Sequence, residues 1–141
     1  MPDGKAECVL LADSHLGLTE GVRGLLETLF GTVVMVADAS SLQESARRLQ
    51  PDVAVVDLSL ARRSNLDWLR DLNRSCPKLK VVVISVHDES SVRTAAAAAG
   101  AKGYVLKRDI GAKLLPTIDA LLAGGHDGQA ENNEVDSVRE S

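Results

Sequence analysis

The chain has 141 residues, of which 45% are hydrophobic and 26% charged, enough for one domain with its own core. Its net charge of −4, its single Phe, Tyr and Trp and its 2 cysteines argue against direct nucleic-acid binding, a base-stacking surface, a disulfide framework and a zinc site. No apolar run is long enough to span a bilayer, and the polar N-terminus lacks the apolar core of a signal peptide. The sequence therefore predicts a cytoplasmic protein that does not associate with membranes.

Short, β-branched apolar runs alternate along the chain with segments of helical spacing. Such runs are typical of strands that are buried on both faces of a sheet. The predicted strands are Cys8–Ala12, Thr32–Ala37, Val53–Val56, Val81–Ser85 and Gly103–Leu106. Apolar residues recur at helical spacing over 18–29, 42–49, 66–72, 92–99 and 114–122.

Two local signals predict where helices begin. The stretch from Ser41 to Glu44 reads Ser-Leu-Gln-Glu, which is typical of a capping box. Pro116 has no backbone N–H, and proline is tolerated in the first turn of a helix, where N–H groups have no partner to lose. The last helix is therefore expected to begin around residues 112 to 115.

Five successive strand–helix units predict an α/β fold. A five-stranded parallel sheet with helices on both faces, joined by right-handed crossovers, satisfies the pattern. For five strands the common doubly wound order is 2-1-3-4-5.

The composition changes after Gly124. Residues 125–141 contain five acids, one arginine and only scattered apolar side chains. Segments of this kind cannot bury enough apolar surface to fold. The sequence predicts one folded domain over residues 6–124 and a disordered acidic tail over residues 125–141.

Polar side chains end four of the predicted strands. Asp13 ends the first, Asp57 the third and Ser85 the fourth, and Lys107 follows the fifth. Ligands of open α/β sheets bind at the carboxyl edge, beside the point where the strand order reverses. In the order 2-1-3-4-5 this point lies between the first and third strands, so Asp13 and Asp57 are expected to be neighbours.

These residue types together suit phosphoryl transfer. Two adjacent carboxylates repel each other unless a proton or a cation lies between them, and Mg²⁺ prefers oxygen ligands of this type. Lys107 supplies a positive charge that can pair with a carboxylate or a phosphoryl oxygen, and Ser85 supplies a rotatable donor. A carboxylate in such a site can act as a nucleophile and become an aspartyl phosphate.

Four fragments, in order and suitably spaced, resemble the receiver domain of two-component response regulators: LLADSH, PDVAVVDLSL, VVVISVHDE and AGAKGYVLK. The resemblance covers residues 6–124 and implies a flavodoxin-like, doubly wound fold. The last fragment looks most like receivers that usually precede a helix-turn-helix DNA-binding domain. The sequence shows no such domain after residue 124, so a stand-alone receiver is expected.

The resemblance also implies roles for individual residues. Asp57 would be the phosphoacceptor, loaded by a histidine kinase or a phosphotransfer protein. Lys107 would pair with the phosphoryl group, Ser85 would be the switch hydroxyl, and Tyr104 would be the aromatic residue that turns inward with it. The surface of the fourth helix, fifth strand and fifth helix would then signal to a downstream protein. The chain would not be an enzyme in the usual sense.

The metal site implied by the resemblance departs from the family pattern. Asp13, Asp57 and the main-chain carbonyl of Ser59 would hold Mg²⁺. Receivers usually have a second acid after the first, where this chain has Ser14, a neutral and poorer ligand. Weaker Mg²⁺ binding is expected. A degenerate receiver that binds a partner without phosphorylation is the main alternative, and a small phosphatase or another α/β enzyme is a third possibility.

Overall fold

The computed structural model describes residues 8–13, 16–60 and 66–124, with residues 16–19 described by their backbone alone. Ser14 and the predicted tail over 125–141 lie outside the described residues. The domain boundary predicted after residue 124 therefore stays a prediction.

Strands and helices alternate throughout the described part of the chain. The strands are β1 (Cys8–Ala12), β2 (Thr32–Val36), β3 (Val53–Asp57), β4 (Lys80–Ser85) and β5 (Gly103–Leu106). The helices are α1 (Leu16–Leu26), α2 (Ala39–Leu49), α3 (Asp67–Ser75), α4 (Ser90–Ala98) and α5 (Ile110–Leu122), and a short 3-10 turn over Lys107–Asp109 leads into α5.

The strands form one parallel sheet in the order β2-β1-β3-β4-β5, which confirms the predicted topology. Every residue of the central strand β3 is buried. Its side chains alternate between two apolar clusters, one on each face of the sheet. Val53 and Val55 pack with residues of α1 and α5, whereas Ala54 and Val56 pack with residues of α2, α3 and α4. This two-sided burial explains why β3 is a continuous apolar run.

The predicted capping box at Ser41 is wrong. Helix α2 begins at Ala39, and its N-cap is Asp38, whose Oδ1 accepts a hydrogen bond from the Ser41 backbone N–H at 2.7 Å. This hydrogen bond holds the pKa of Asp38 below its ordinary value. A carboxylate accepts more strongly than a hydroxyl and also interacts favourably with the helix dipole, so the helix begins at the first suitable cap after β2.

The predicted start of the last helix is also wrong. Helix α5 begins at Ile110, so Pro116 lies in its interior. Proline there removes the hydrogen bond to the carbonyl of Ala112. Both Ala112 and Pro116 lie on the exposed side of α5, where water can reach that carbonyl. The prediction considered the proline alone. Whether a helix tolerates an interior proline also depends on whether the freed carbonyl faces solvent.

The glycine after α4 allows a close contact with α3, and its replacement tests that packing. Gly100 has φ +116, and a Cβ atom built on it would lie 2.6 Å from Cγ of Asn73. We expect Gly100→Ala to lower the free energy of unfolding by about 2 kcal/mol, measured by urea denaturation. Gly111→Ala is the control, because Gly111 lies in α5 with nothing within 4 Å of the new methyl group. That variant should be as stable as the parent or more so; equal stabilities of the two variants would contradict the packing account.

Candidate functional site

Two acids meet at the carboxyl edge of the sheet, as the sequence predicts. Strands β1 and β3 are paired so that Ala12 lies opposite Val56, and Asp13 and Asp57 are the next residues on the two strands. The backbone N–H of Asp13 donates to the carbonyl of Val36 at 3.1 Å, which extends the pairing of β1 with β2 up to the acid. Both acids are buried, with Asp13 5% and Asp57 1% exposed.

The carboxylate of Asp57 accepts hydrogen bonds at both of its oxygens. Its Oδ2 accepts from Nζ of Lys107 at 2.6 Å, across 50 residues of sequence. Its Oδ1 accepts from the backbone N–H of Ser59 at 2.9 Å and from the Ser59 hydroxyl at 2.8 Å. The parallel topology places Lys107, which follows β5, at the same edge of the sheet, and its long side chain reaches Asp57 from two strands away.

These contacts determine the ionisation of Asp57. Burial favours the neutral acid, but the hydrogen bonds from Lys107 and Ser59 outweigh it and lower the pKa of Asp57 below its ordinary value. The group is therefore a carboxylate at neutral pH. An ionised and buried carboxylate at a sheet edge is a suitable nucleophile.

Ser85 and Tyr104 both bind the loop that follows β4. The hydroxyl oxygen of Ser85 accepts a hydrogen bond from the backbone N–H of His87 at 3.0 Å. The phenol of Tyr104 donates to the carbonyl of His87 at 2.7 Å. The backbone of His87 is thus held at its N–H by one predicted switch residue and at its C=O by the other.

Charged side chains surround this loop. The guanidinium carbon of Arg93, on α4, lies 4.8 Å from the centre of the Tyr104 ring, within the range of a cation–π contact. Burial raises the pKa of the Tyr104 phenol above its ordinary value, so it is a hydrogen-bond donor at neutral pH. Arg108 forms an ion pair with Asp88 at 3.2 Å between exposed side chains, which contributes little to stability.

The sequence predicts the principal residues of the site but not all of their contacts. Asp13, Asp57, Ser85 and Lys107 are predicted at one edge of the sheet, and the strand pairing brings them there. Ser59 is predicted to act through its main chain alone, whereas its hydroxyl also contacts Asp57. The signal was available, because an Asp often accepts a hydrogen bond from the backbone N–H two residues later. The contact of Arg93 with Tyr104 had no sequence signal.

The donor set of the site fits a hard divalent cation. Asp13 and Asp57 offer carboxylate oxygens, and with Lys107 these three side chains carry one net negative charge. Within residues 8–13, 16–60 and 66–124, no group of three or more histidine, cysteine or acidic side chains could hold a metal ion. Asp13 and Asp57 are thus a pair of acids, and a hard cation held between them would need further oxygen ligands, such as carbonyls or water, to complete its coordination.

Known proteins share this arrangement of strands and helices. The chain matches the family model of the response regulator receiver domain over residues 9–119. It belongs to the response regulator receiver family. Receiver domains are regulatory modules rather than classical enzymes, and they generally bind Mg²⁺ at the site of phosphorylation.

Individual relatives agree with this assignment. The nitrate/nitrite response regulator protein NarP of Escherichia coli is 36% identical over 122 residues, which cover 85% of this chain and 57% of that protein. The response regulator GacA of Pseudomonas aeruginosa is 37% identical over 101 residues, which cover 70% of this chain and 47% of that protein. The chain spans about half the length of the curated relatives it matches.

A solved structure has the same fold. A two-component response regulator of the LuxR family from an Aurantimonas species superimposes with a TM-score of 0.78 and 31% identity, covering 85% of this chain and 86% of that one. The relatives of this receiver are therefore response regulators of the LuxR and NarL type. Separately, none of the helices in the described ranges is both long and apolar enough to cross a membrane.

Proposed function

We propose that the chain takes part in a phosphorelay by accepting a phosphoryl group on Asp57 from a histidine kinase or a phosphotransfer protein in the cytoplasm. One observation carries the proposal: a buried, ionised carboxylate is paired at 2.6 Å with a lysine at the carboxyl edge of the sheet. A structural ion pair gives no reason for a second buried acid at the neighbouring strand position, whereas a phosphoryl-transfer site can use that acid to hold a cation.

The transfer is a displacement at phosphorus. A carboxylate oxygen of Asp57 forms the new O–P bond while the P–N bond to the donor histidine breaks, and the imidazole leaves with the bonding electron pair. Lys107 neutralises the carboxylate before transfer and remains beside the phosphoryl oxygens afterwards. Mg²⁺ held by Asp13, Asp57 and the carbonyl of Ser59 would offset further charge on these oxygens.

Ser85 and Tyr104 link the phosphoryl group to the protein surface. If the Ser85 side chain rotates about χ1 so that its hydroxyl donates to a phosphoryl oxygen, its oxygen moves away from the backbone N–H of His87, which loses its present acceptor. The loop must then rearrange, and Tyr104, which holds the carbonyl of His87, must move with it. The surface of α4, β5 and α5 would change as a result and would be recognised by a downstream protein.

The alternative of a degenerate receiver, which binds its partner without phosphorylation, gains no support from the relatives or from the site. Asp57 and Lys107 are both present and in contact. Only the replacement of the usual second acid by Ser14 favours it, and that residue affects the strength of metal binding rather than the nucleophile.

The proposal is tested by chemical phosphorylation. Incubated with Mg²⁺ and a small acyl phosphate or phosphoramidate, the protein should gain one base-labile phosphoryl group, located on Asp57 by peptide mass mapping. Asp57→Asn should abolish this gain, whereas Asp52→Asn, which alters the exposed acid just before the same strand, should not. The proposal fails if the parent protein gains nothing at high donor and Mg²⁺ concentrations, or if the Asp57→Asn variant is labelled equally well.

A further inference from the structure

Ser59 binds one oxygen of the phosphoacceptor twice. Its backbone N–H lies 2.9 Å and its hydroxyl oxygen 2.8 Å from the same atom, Oδ1 of Asp57. A carboxylate oxygen has about two lone-pair directions. Donors from a single residue therefore take both acceptor directions of Oδ1, while Lys107 donates to Oδ2.

The two donors of Ser59 differ in how easily they can be displaced. The backbone N–H belongs to a turn in which the N–H of Leu60 donates to the carbonyl of Asp57 at 2.9 Å, so it cannot rotate away without breaking the turn. The Ser59 side chain is exposed, so its hydroxyl can rotate and hydrogen-bond to water instead. Of the two donors, the hydroxyl is therefore displaced from Oδ1 of Asp57 with the smaller loss of free energy.

We propose that the Ser59 hydroxyl competes with Mg²⁺ for Oδ1 of Asp57 and so acts as a positioning residue that limits metal affinity in the resting protein. The inference rests on the proposed Mg²⁺ site. A cation at Oδ1 needs a lone pair that a hydrogen bond now occupies, and the hydroxyl must turn away before that lone pair is available. The main-chain carbonyl of Ser59, a ligand in the proposed site, stays in place when the side chain rotates.

The competition matters because this site has few acids. With Ser14 where receivers usually have a second acid, the carboxylates expected at the metal are those of Asp13 and Asp57. An occupied lone pair on Asp57 therefore costs this chain more affinity than it would cost a receiver with three acids. The serine at position 14 and the hydroxyl at position 59 would both lower the affinity of the site for Mg²⁺.

The test is Mg²⁺ affinity measured by titration calorimetry on the unphosphorylated chain. Ser59→Ala removes the competing hydroxyl and keeps the backbone N–H, so the Kd for Mg²⁺ should fall by about threefold to tenfold, as expected for one hydrogen bond from a side chain that water can also solvate. Ser59→Thr retains the hydroxyl on an exposed side chain and should bind Mg²⁺ like the parent. Thermal unfolding gives a second readout: Ser59→Ala should melt lower than the parent in EDTA and gain more from added Mg²⁺.

Each outcome decides the matter. An unchanged or higher Kd for Ser59→Ala overturns the inference, as does an equal fall in Kd for Ser59→Thr. Undetectable Mg²⁺ binding in both the parent and Ser59→Ala overturns it too, because the hydroxyl is then not what limits binding. Failure of chemical labelling with normal Mg²⁺ titrations would count against the proposed phosphoacceptor role and leave the competition at Oδ1 intact.

Discussion

Replacing Lys107 with methionine is expected to lower the free energy of unfolding by about 3 kcal/mol at neutral pH in EDTA. Methionine keeps much of the packing volume of the side chain but removes the cation that lies 2.6 Å from Oδ2 of Asp57. The carboxylate of Asp57 is 1% exposed, so it cannot recover the lost interaction from bulk water. Asp13 at the neighbouring strand position adds repulsion between like charges.

The unfolding free energy lost in Lys107→Met should depend on pH, and the direction of that dependence identifies the cause. In the parent protein the pKa of Asp57 is lowered, so its contribution to stability is present above the unfolded pKa of about 3.9 and is lost as the pH falls through the folded value. Without the lysine, burial is opposed by the hydrogen bonds from Ser59 but no longer by a cation, so the pKa of Asp57 should rise from its lowered value. The Lys107→Met variant is then destabilised at neutral pH, and this loss of unfolding free energy shrinks as the pH falls through the raised pKa of Asp57.

Urea denaturation between pH 4 and pH 7 measures this difference. The gap between the parent and the variant should be widest near pH 7 and narrow on acidification. Lys113→Met, which alters an exposed lysine on α5, is the matched control and should stay within about 0.5 kcal/mol of the parent. A Lys107→Met variant as stable as the parent at pH 7 would show that the ion pair does not stabilise the carboxylate of Asp57.

Introducing an acid at position 14 is expected to tighten Mg²⁺ binding by roughly tenfold or more, because affinity for hard cations rises with the number of charged ligands. Ser14 directly follows Asp13 in the sequence, and Asp13 lies at the edge of the sheet where Asp57 lies. In EDTA, Ser14→Asp should be less stable than the parent, since it adds a negative charge next in sequence to the buried Asp13. Added Mg²⁺ should reverse that loss.

The measurement is a Mg²⁺ titration by calorimetry, with thermal unfolding in EDTA and in Mg²⁺ as the second readout. Ser14→Asn is the control, because it adds similar bulk and an amide oxygen without a charge. It should bind Mg²⁺ much as the parent does. Equal affinities of the Ser14→Asp variant and the parent would mean that Ser14 is not the weak point of the metal site.

Much of the fold could be predicted because the signals were local and agreed with one another. The strand predictions differ from the structure by one residue at most, since β-branched apolar runs bounded by polar residues specify buried strands. The alternation of strands and helices predicted a parallel sheet, and its order was the common one for five-stranded doubly wound folds. The predicted starts of α2 and α5 were wrong, because whether one residue begins a helix depends on its neighbours in the chain and in the fold. Ser41 is a good cap, but Asp38 is available first.

Sequence by itself determined the parallel sheet and the set of polar residues at its carboxyl edge, because periodicity and strand-end residues can be read along the chain; the strand order came from the common doubly wound arrangement. Tertiary structure decided which of these residues touch. The pairing of Lys107 with Asp57 joins residues 50 positions apart, and the double contact of Ser59 depends on the turn that follows β3. Such contacts are fixed by distances between atoms that the packing of the sheet and helices sets, and sequence spacing does not encode them.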